Sequence, residues 1–483
     1  MKFITFLLPV AVAAIVDIFL YGGSGRKRVF ESIYKHIDDS REAAKWLGLR
    51  VAVKPQDVKI LEYDGTVQGA EAFLEDPRGG GVYTGLIDGR IVKLISDDAY
   101  EVVACLGSNC QEKGGCSLSE SKEKQKMRDI LGDGQFCSRP LGLQFASGVS
   151  TPSGKDHKGK DLYVADVFRG ILRISSSTQP SKFPSKTAFD LVLSEVNERP
   201  LFFPNSLLMI SDGSHKTTSD NPSPSKLYLT DSSATNNFGT QGRIALEPTP
   251  TGRLIELDLT GKDRKPPVVL LDQLGFPNGL APSPDRDALL MVETNRRSIK
   301  KVFISGPRRG QVEEWSENLP FIPDNLVQLP NGLGYLVAAC VSRKMPTSAT
   351  SLSSSSLLQI LKALHRRIVN FLLFDHREIL ANLIYPVTEF EILSKATDWV
   401  LQRGVTGGGH IFHLDNGGVV KRWISLPPSC PSVSEAAVVS WETEKDKKKN
   451  TLSEDTHFLL VGSFRKLPIC KISLQALLGK EMK

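Results

Sequence analysis

Residues Phe276 to Cys340 read FPNGLAPSPDRDALLMVETNRRSIKKVFISGPRRGQVEEWSENLPFIPDNLVQLPNGLGYLVAAC. The stretch opens on a turn, Pro277-Asn278-Gly279, followed by an apolar run (Leu289 to Val292), an alternating run (Ile299 to Ile304) and a short third run (Gln311 to Trp315). The pattern then restarts, with Pro323-Asp324-Asn325 standing where Pro277-Asn278-Gly279 stood. An apolar run bounded by turn residues reads as a strand buried on both faces. A four-stranded unit of this length that begins again is the signature of a propeller blade.

Outward from that unit, six apolar runs recur: Val82 to Leu86, Leu162 to Asp166, Leu227 to Asp231, Leu289 to Thr294, Tyr335 to Cys340 and Phe458 to Phe464. Each has a second strand-like run behind it: Gly89 to Lys93, Gly170 to Ile174, Gly252 to Leu257, Ser298 to Ile304, Gly409 to Leu414 and Leu467 to Ile472. In four of these a glycine opens the second run, as a tight hairpin with positive φ requires. A β-sandwich with decorations explains the strands but not their sixfold recurrence. The expected fold is therefore all-β, a six-bladed β-propeller over residues 61–474, with a tail at 475–483.

The chain of 483 residues, 40% hydrophobic and 24% charged, has the composition of an ordinary globular protein. A net charge of +6, spread along that length, does not mark a nucleic-acid binder, and none is expected as a partner. No metal-type spacing occurs among the seven cysteines and eight histidines. Cys105, Cys110, Cys116 and Cys137 crowd one region, which suits either a disulfide-bearing domain outside the cytosol or four reduced, buried thiols.

Phe3 to Tyr21 is nearly all apolar and just reaches the roughly 20 residues needed to cross a bilayer as a helix. It reads as an N-terminal signal-anchor (residues 1–22) ahead of a stalk and lead-in strand (23–60), against a cleaved signal peptide or a buried helix. The flanking charges, Lys2 before and Arg26-Lys27-Arg28 after, slightly favour a cytosolic C-terminus, whereas the cysteine cluster favours the opposite. A short amphipathic helix is expected near Arg41 to Leu47. Between the halves of the fifth blade, residues 343–403 form an insertion: a Ser-rich loop and then LLQILKALHRRIVNFLL (Leu357 to Leu373), whose apolar spacing predicts a helix. That helix is either packed on the domain or a lid or membrane-touching element.

Chemistry is expected where the turns ahead of the inner strands converge on the central channel. Those turns carry Glu71, Leu141 with Gly142, Asn205, Asn278, Asp324 with Asn325, and Glu435. Five of the six hold a side-chain oxygen at the same place in the blade. Carboxylates with amide oxygens suit a hard cation such as Ca²⁺, which takes six to eight oxygens, although Asn and Asp also serve turns everywhere. Asp231, ending the third apolar run, is either a base or a buried carboxylate accepting hydrogen bonds from Ser232 and Ser233. The histidines form no dyad.

The runs GVYTGLIDGRIVKL, CSRPLGLQF, LYVADVFRGILRI, LYLTDSS, GRLIELD, FPNGLAPSPDRDALLMVETN and LPFIPDNL resemble the strictosidine synthase-like family, from about Val51 to Leu474. The branch they resemble is that of the adipocyte plasma membrane-associated proteins. This resemblance implies a six-bladed propeller on a single-pass (type II) anchor, with the propeller lumenal or extracellular. The wider set of calcium-dependent propeller hydrolases includes paraoxonase and gluconolactonase. Matched motif by motif, it places the calcium ligands on Glu71, Asn205, Asn278, Asp324 and Asn325. The ion would act on an ester or lactone carbonyl.

The sequence departs from those relatives on the catalytic side. Pro140 to Gln144 and Tyr163 to Phe168 lack the histidines of paraoxonase-like enzymes. The glutamate of strictosidine synthase falls on Ser434, with Glu435 one residue along, and one residue in a strand turns a side chain to the other face. Two function classes follow: a membrane-anchored hydrolase of small esters or lactones, with Glu435 and Asp231 as candidate catalytic groups, or a non-catalytic propeller with a structural Ca²⁺ that binds a protein or lipid partner. Strictosidine-type condensation is not expected.

Overall fold

A computed structural model describes residues 48–77, 79–106, 138–146, 161–175, 189–211, 225–236, 244, 247, 249–259, 265–342, 409–441, 457–465, 467–474 and 477. The apolar N-terminal segment, the amphipathic stretch before Gly48, Cys110, Cys116, Cys137 and the 343–403 insertion lie outside the described residues. Among those described, no helix is long and apolar enough to cross a membrane. The chain divides into two compact units: Met1–Arg50 with Leu246–Pro248 and Ser342–Gly404, almost all of it outside the described residues, and the remainder, which carries the strands.

The strands run in chain order as β1 (Arg50–Ala52) and β2 (Val58–Leu61), followed by six antiparallel sheets. Blade one is β3 (Leu74–Glu75), β4 (Val82–Gly85), β5 (Arg90–Leu94) and β6 (Tyr100–Cys105). Blade two is β7 (Pro140–Phe145), β8 (Leu162–Asp166), β9 (Gly170–Ile174) and β10 (Asp190–Leu193). A small hairpin, β11 (Glu195–Val196) and β12 (Arg199–Pro200), leads to blade three: β13 (Pro204–Ser211), β14 (Ser225–Asp231), β15 (Gly252–Asp258) and β16 (Val268–Leu274). Blade four is β17 (Pro277–Pro282), β18 (Ala288–Glu293), β19 (Ser298–Phe303) and β20 (Val312–Ser316). Blade five is β21 (Phe321–Gln328), β22 (Tyr335–Ser342), β23 (His410–Leu414) and β24 (Val420–Ser425), with β1 added outside β24. Blade six is β25 (Glu435–Ser440), β26 (His457–Gly462) and β27 (Ile469–Ser473), with β2 as its fourth strand.

The six apolar runs are the second strands of these blades, and each is apolar on both faces for one reason. Alternate residues of a strand face opposite sides of the sheet, and here each side meets another blade. On β26, Leu459 and Val461 pack with Leu336, Ala338 and Ile411 of blade five, whereas Phe458 and Leu460 pack with Val82, Val92 and Leu94 of blade one. The same alternation joins blades one and two through Tyr83, Ile91, Val164 and Leu172, and blades three and four through Tyr228, Leu254, Leu289 and Met291. Each such side chain contributes roughly 1.5–3 kcal/mol by leaving water. Between blades four and five, Trp315 stands edge-on to Tyr335, whose hydroxyl donates to the carbonyl of Pro282 at 2.8 Å.

The lead-in strand is part of the ring. β2 pairs antiparallel with β27, Val58 opposite Ile472 and Leu61 opposite Ile469, so the last blade combines both ends of the described chain. The outer edge of β27 is thus satisfied by a strand that falls mostly in the lead-in segment, ahead of residue 61. Two further links act here. Cys430 and Cys470 form a disulfide between the segment ahead of β25 and β27. Asp97, on the β5–β6 turn of blade one, binds Lys471 at 2.6 Å, Lys59 at 2.7 Å and the indole N–H of Trp441 at 3.1 Å. Cys105, from the N-terminal cysteine cluster, is also disulfide-bonded.

Candidate metal centre

The six inner strands surround a cavity of about 250 Å³. Its wall is mostly apolar, built from residues such as Leu141, Leu143, Leu207, Leu280 and Leu326; Glu71, Asn205, Ser206, Asn325 and Glu435 are polar where the strands begin, and Gln144 and Gln328 lie further along. Neighbouring inner strands come close at this end. A Cβ added to Gly142 would stand 2.5 Å from the Asn205 carbonyl oxygen, and one added to Gly279 would stand 2.6 Å from the Asn325 Cα. Only glycine permits such an approach, and Gly279 thereby brings the turn holding Asn278 against the one holding Asn325.

All five residues read as metal ligands are buried: Glu71, Asn205, Asn278, Asp324 and Asn325 are between 2% and 8% exposed. Each asparagine uses its NH₂ on the protein. Asn205 donates to the Ser232 hydroxyl at 3.0 Å, and that hydroxyl in turn donates to the Pro277 carbonyl at 2.7 Å. Asn278 donates to Asp324 Oδ1 at 2.5 Å and to Thr294 Oγ1 at 3.4 Å. Asn325 donates to the Ser434 carbonyl at 3.1 Å. A carbonyl and a carboxylate can only accept, and the Ser232 proton is already engaged, so these partners dictate which end of each amide is which. The oxygens are left at the other end. Asn278 Oδ1 is buried with no hydrogen-bond partner among the described residues. A buried, unpartnered acceptor costs roughly 1–3 kcal/mol, which is tolerated where something else satisfies it.

The carboxylates carry the same signature. Burial and then the charge of Asp324 push the Glu71 carboxyl well above the usual range, with Arg139 and the Ser434 hydroxyl pulling it back. The Arg139 guanidinium lies 3.8 Å from Glu71 Oε2 and donates to the Gly69 carbonyl at 2.8 Å. Burial pushes Glu435 up to about 8, against a hydrogen bond from its neighbour's N–H and with the Asp324 charge adding to the rise. Two mutually repelling carboxylates beside amide oxygens form an oxygen donor set that a divalent cation would relieve. Among the described residues no group of three or more His, Cys, Asp or Glu could hold a metal ion, so the amide oxygens would have to complete any set that the two carboxylates begin. The donors present fit Ca²⁺.

Glu435 lines the cavity, whereas Ser434, on which the resemblance placed the strictosidine synthase glutamate, does not line it and is fully buried. Asp231 is elsewhere. It ends β14, is fully buried, accepts from the Phe203 N–H at 2.8 Å and pairs with Arg253 at 2.6 Å. Its partners are thus Arg253 and a backbone N–H rather than Ser232 and Ser233, and it does not line the cavity. His410 accepts from the Trp423 indole, and His413 bonds the Leu333 carbonyl, so both serve the fifth blade. The second turn, Leu141 with Gly142, adds no oxygen-bearing side chain. Sequence reasoning missed Ser232, Thr294, Ser434 and Arg139, which orient the ligands; nothing in their local sequence separates them from ordinary turn residues.

Residues 219–307, which include Asn278, match the family model described as strictosidine synthase. The chain is 28% identical over 418 residues to the adipocyte plasma membrane-associated protein of Mus musculus, a match covering 86% of this chain and 78% of that protein. It is 29% identical over 306 residues to the strictosidine synthase-like 2 protein of Arabidopsis thaliana, covering 62% of this chain and 70% of that protein. Among solved structures, a gluconolactonase from Xanthomonas campestris aligns with a TM-score of 0.44 at 12% identity, covering 86% of this chain and 89% of that one. The resemblance read from the motifs is therefore met by similarity that extends over most of the chain.

Proposed function

We propose that this chain is a calcium-holding propeller that hydrolyses small esters or lactones in its channel. The observation that carries the reading is the arrangement of the three asparagines, whose NH₂ groups are all tied back while Asn278 Oδ1 is left buried and unpartnered beside Asp324. Glu71, Asn205, Asn278, Asp324 and Asn325 would hold the ion. Bound there, Ca²⁺ supplies a positive charge that stabilises the oxyanion of a carbonyl under attack.

The apolar cavity wall would seat the substrate and exclude bulk water. Glu435, titrating near 8 on that wall, can take one proton from water as its oxygen adds to the carbonyl carbon. It can return that proton to the departing oxygen as the C–O bond breaks. The mammalian relatives are named as plasma membrane-associated, which supports a membrane anchor in Phe3 to Tyr21 with the propeller lumenal or extracellular.

A second reading is favoured by one observation: among the described residues no histidine lines the cavity. The propeller would then be non-catalytic, its ion structural, and its faces would bind a protein or lipid partner. Phenyl acetate and lactone hydrolysis by the full chain, with and without excess EDTA and beside Asn278→Ala, separates the two. Hydrolysis abolished by chelation and by the substitution supports the enzyme. No hydrolysis, with the melting temperature still falling on chelation, supports the structural ion.

A further inference from the structure

The inner-strand turns of blades two and six supply no ligand in the proposed set, yet a residue of the blade-six turn touches two of the ligands. Ser434, immediately before β25, is fully buried. Its hydroxyl accepts the Phe464 N–H at 2.9 Å and lies 2.9 Å from Glu71 Oε2. A backbone N–H can only donate, so the single serine proton is directed at the Glu71 carboxylate. Its carbonyl receives the Asn325 Nδ2 at 3.1 Å and the Asn325 backbone N–H at 3.2 Å. One residue thus orients a carboxylate from blade one and an amide from blade five. Its own backbone N–H bonds the Gly462 carbonyl at 3.1 Å, which ties it to β26.

We infer that Ser434 is a positioning residue for the cation, holding Glu71 and Asn325 in ligand geometry across the junction of blades five, six and one. The inference rests on the calcium reading above and assigns it a residue that touches neither ion nor substrate. The serine contributes in two separable ways. The hydroxyl selects the Glu71 rotamer and leaves Oε1 as the oxygen not engaged by the serine. The carbonyl fixes the Asn325 amide with its oxygen turned the other way, and any residue at 434 retains that bond because it is made by the backbone. Removing the hydroxyl should therefore weaken the site through Glu71 while leaving Asn325 in place; it also strands the Phe464 N–H, a cost to the fold that melting in EDTA reads separately. Partners of this kind, one step out from the ligands, typically alter metal affinity by about 10–100-fold.

The test is calcium titration calorimetry on the full chain for the wild type, Ser434→Ala, Ser434→Cys, Glu71→Gln and the Ser434→Ala/Glu71→Gln double variant. Melting in excess EDTA is recorded for each. The expected result is a loss of about tenfold or more in affinity for Ser434→Ala, with little further loss when Ser434→Ala is added to Glu71→Gln. Ser434→Cys keeps the volume with a weaker donor and falls between; it carries the comparison if the alanine variant does not fold. Wild-type affinity in both serine variants overturns the positioning role while leaving the calcium site standing. So does a loss that is fully additive with Glu71→Gln. A wild-type chain that binds no Ca²⁺ overturns the calcium reading and this inference together.

Discussion

Two sets of buried acids lie in different blades of the one ring, and they are treated in opposite ways. The first set ends the second strands: Asp166 on β8, Asp231 on β14 and Glu293 on β18. Each faces the first residue of its inner strand, Pro140, Pro204 and Pro277 respectively. Each also accepts a backbone N–H just before that proline, from Arg139, Phe203 and Gly275. Cations complete the set: Arg253 on Asp231, Arg296 on Glu293 Oε1, and Lys300 at 3.4 Å from Glu293 Oε2, an oxygen that has a neighbouring charge but no hydrogen-bond partner among the described residues. The second set, Glu71 and Asp324, lies at the starts of the inner strands, where burial and the Asp324 charge raise the Glu71 carboxyl and an amide oxygen nearby has no partner among the described residues. Burial is common to both sets; what separates structure from site is whether the donors present match the charge.

The largest effect should come from the structural set. Asp231→Ala strands the buried Arg253 guanidinium, and breaking a buried pair by removing one partner costs about 3–5 kcal/mol. Urea unfolding should show that loss equally in calcium and in EDTA. A loss confined to calcium-containing buffer would place Asp231 in the metal site and dissolve the distinction.

Asp324→Asn should behave in the converse way. The amide keeps an oxygen for Asn278 but removes the charge that opposes Glu71. In EDTA the variant should be at least as stable as the wild type. With calcium at a hundred times its wild-type dissociation constant, the wild type should gain about 2.7 kcal/mol and the variant much less. Thermal melting in the two buffers reads both arms. Destabilisation in EDTA as large as that of Asp231→Ala would show that Asp324 belongs to the scaffold.

How much of this was legible beforehand follows from the same contrast. The second strands stand out because both faces pack against other blades, which forces a continuous apolar run such as Leu289 to Val292. Two of the third strands, β5 and β9, are legible from the positive-φ glycines that open them, Gly89 and Gly170. Gly252 and Gly409, by contrast, follow longer connections and do not take the positive φ expected of them. β2 and β1 are not legible: an outer strand such as Val58–Leu61 has one exposed face, and its partner β27 lies at the far end of the chain. The candidate ligands were legible because each sits in a turn of repeated register, as Pro277-Asn278-Gly279 and Pro323-Asp324-Asn325 show. Ser434 was not, because its role depends on Phe464, Glu71 and Asn325 converging from three blades. Asp231 misled for a related reason, since a carboxylate ending an apolar run reads alike whether Arg253 or a substrate awaits it.

Asp97 sharpens the comparison from outside the core. It is a partly exposed acid at the seam between the first and last blades. Burial raises its carboxyl, but hydrogen bonds from Lys471, Lys59 and Trp441 outweigh that and hold it at about 2, below the ordinary 3.8. A depressed acid stabilises the fold at pH above its unfolded value and loses that contribution as pH falls through its folded value. The Asp97 contribution should thus be complete above about pH 4 and vanish toward pH 2. With the side chain 24% exposed, solvent screening limits it to about 1 kcal/mol or less. Melting of Asp97→Asn against wild type from pH 5 to pH 2 should show two curves that converge as the acid limit is approached, with the gap at pH 5 narrowed by added salt. A gap that persists at pH 2 would assign the loss to the packing of Lys471 over Phe458 and Trp441 rather than to charge. The seam would then be held as the blades are, by burial.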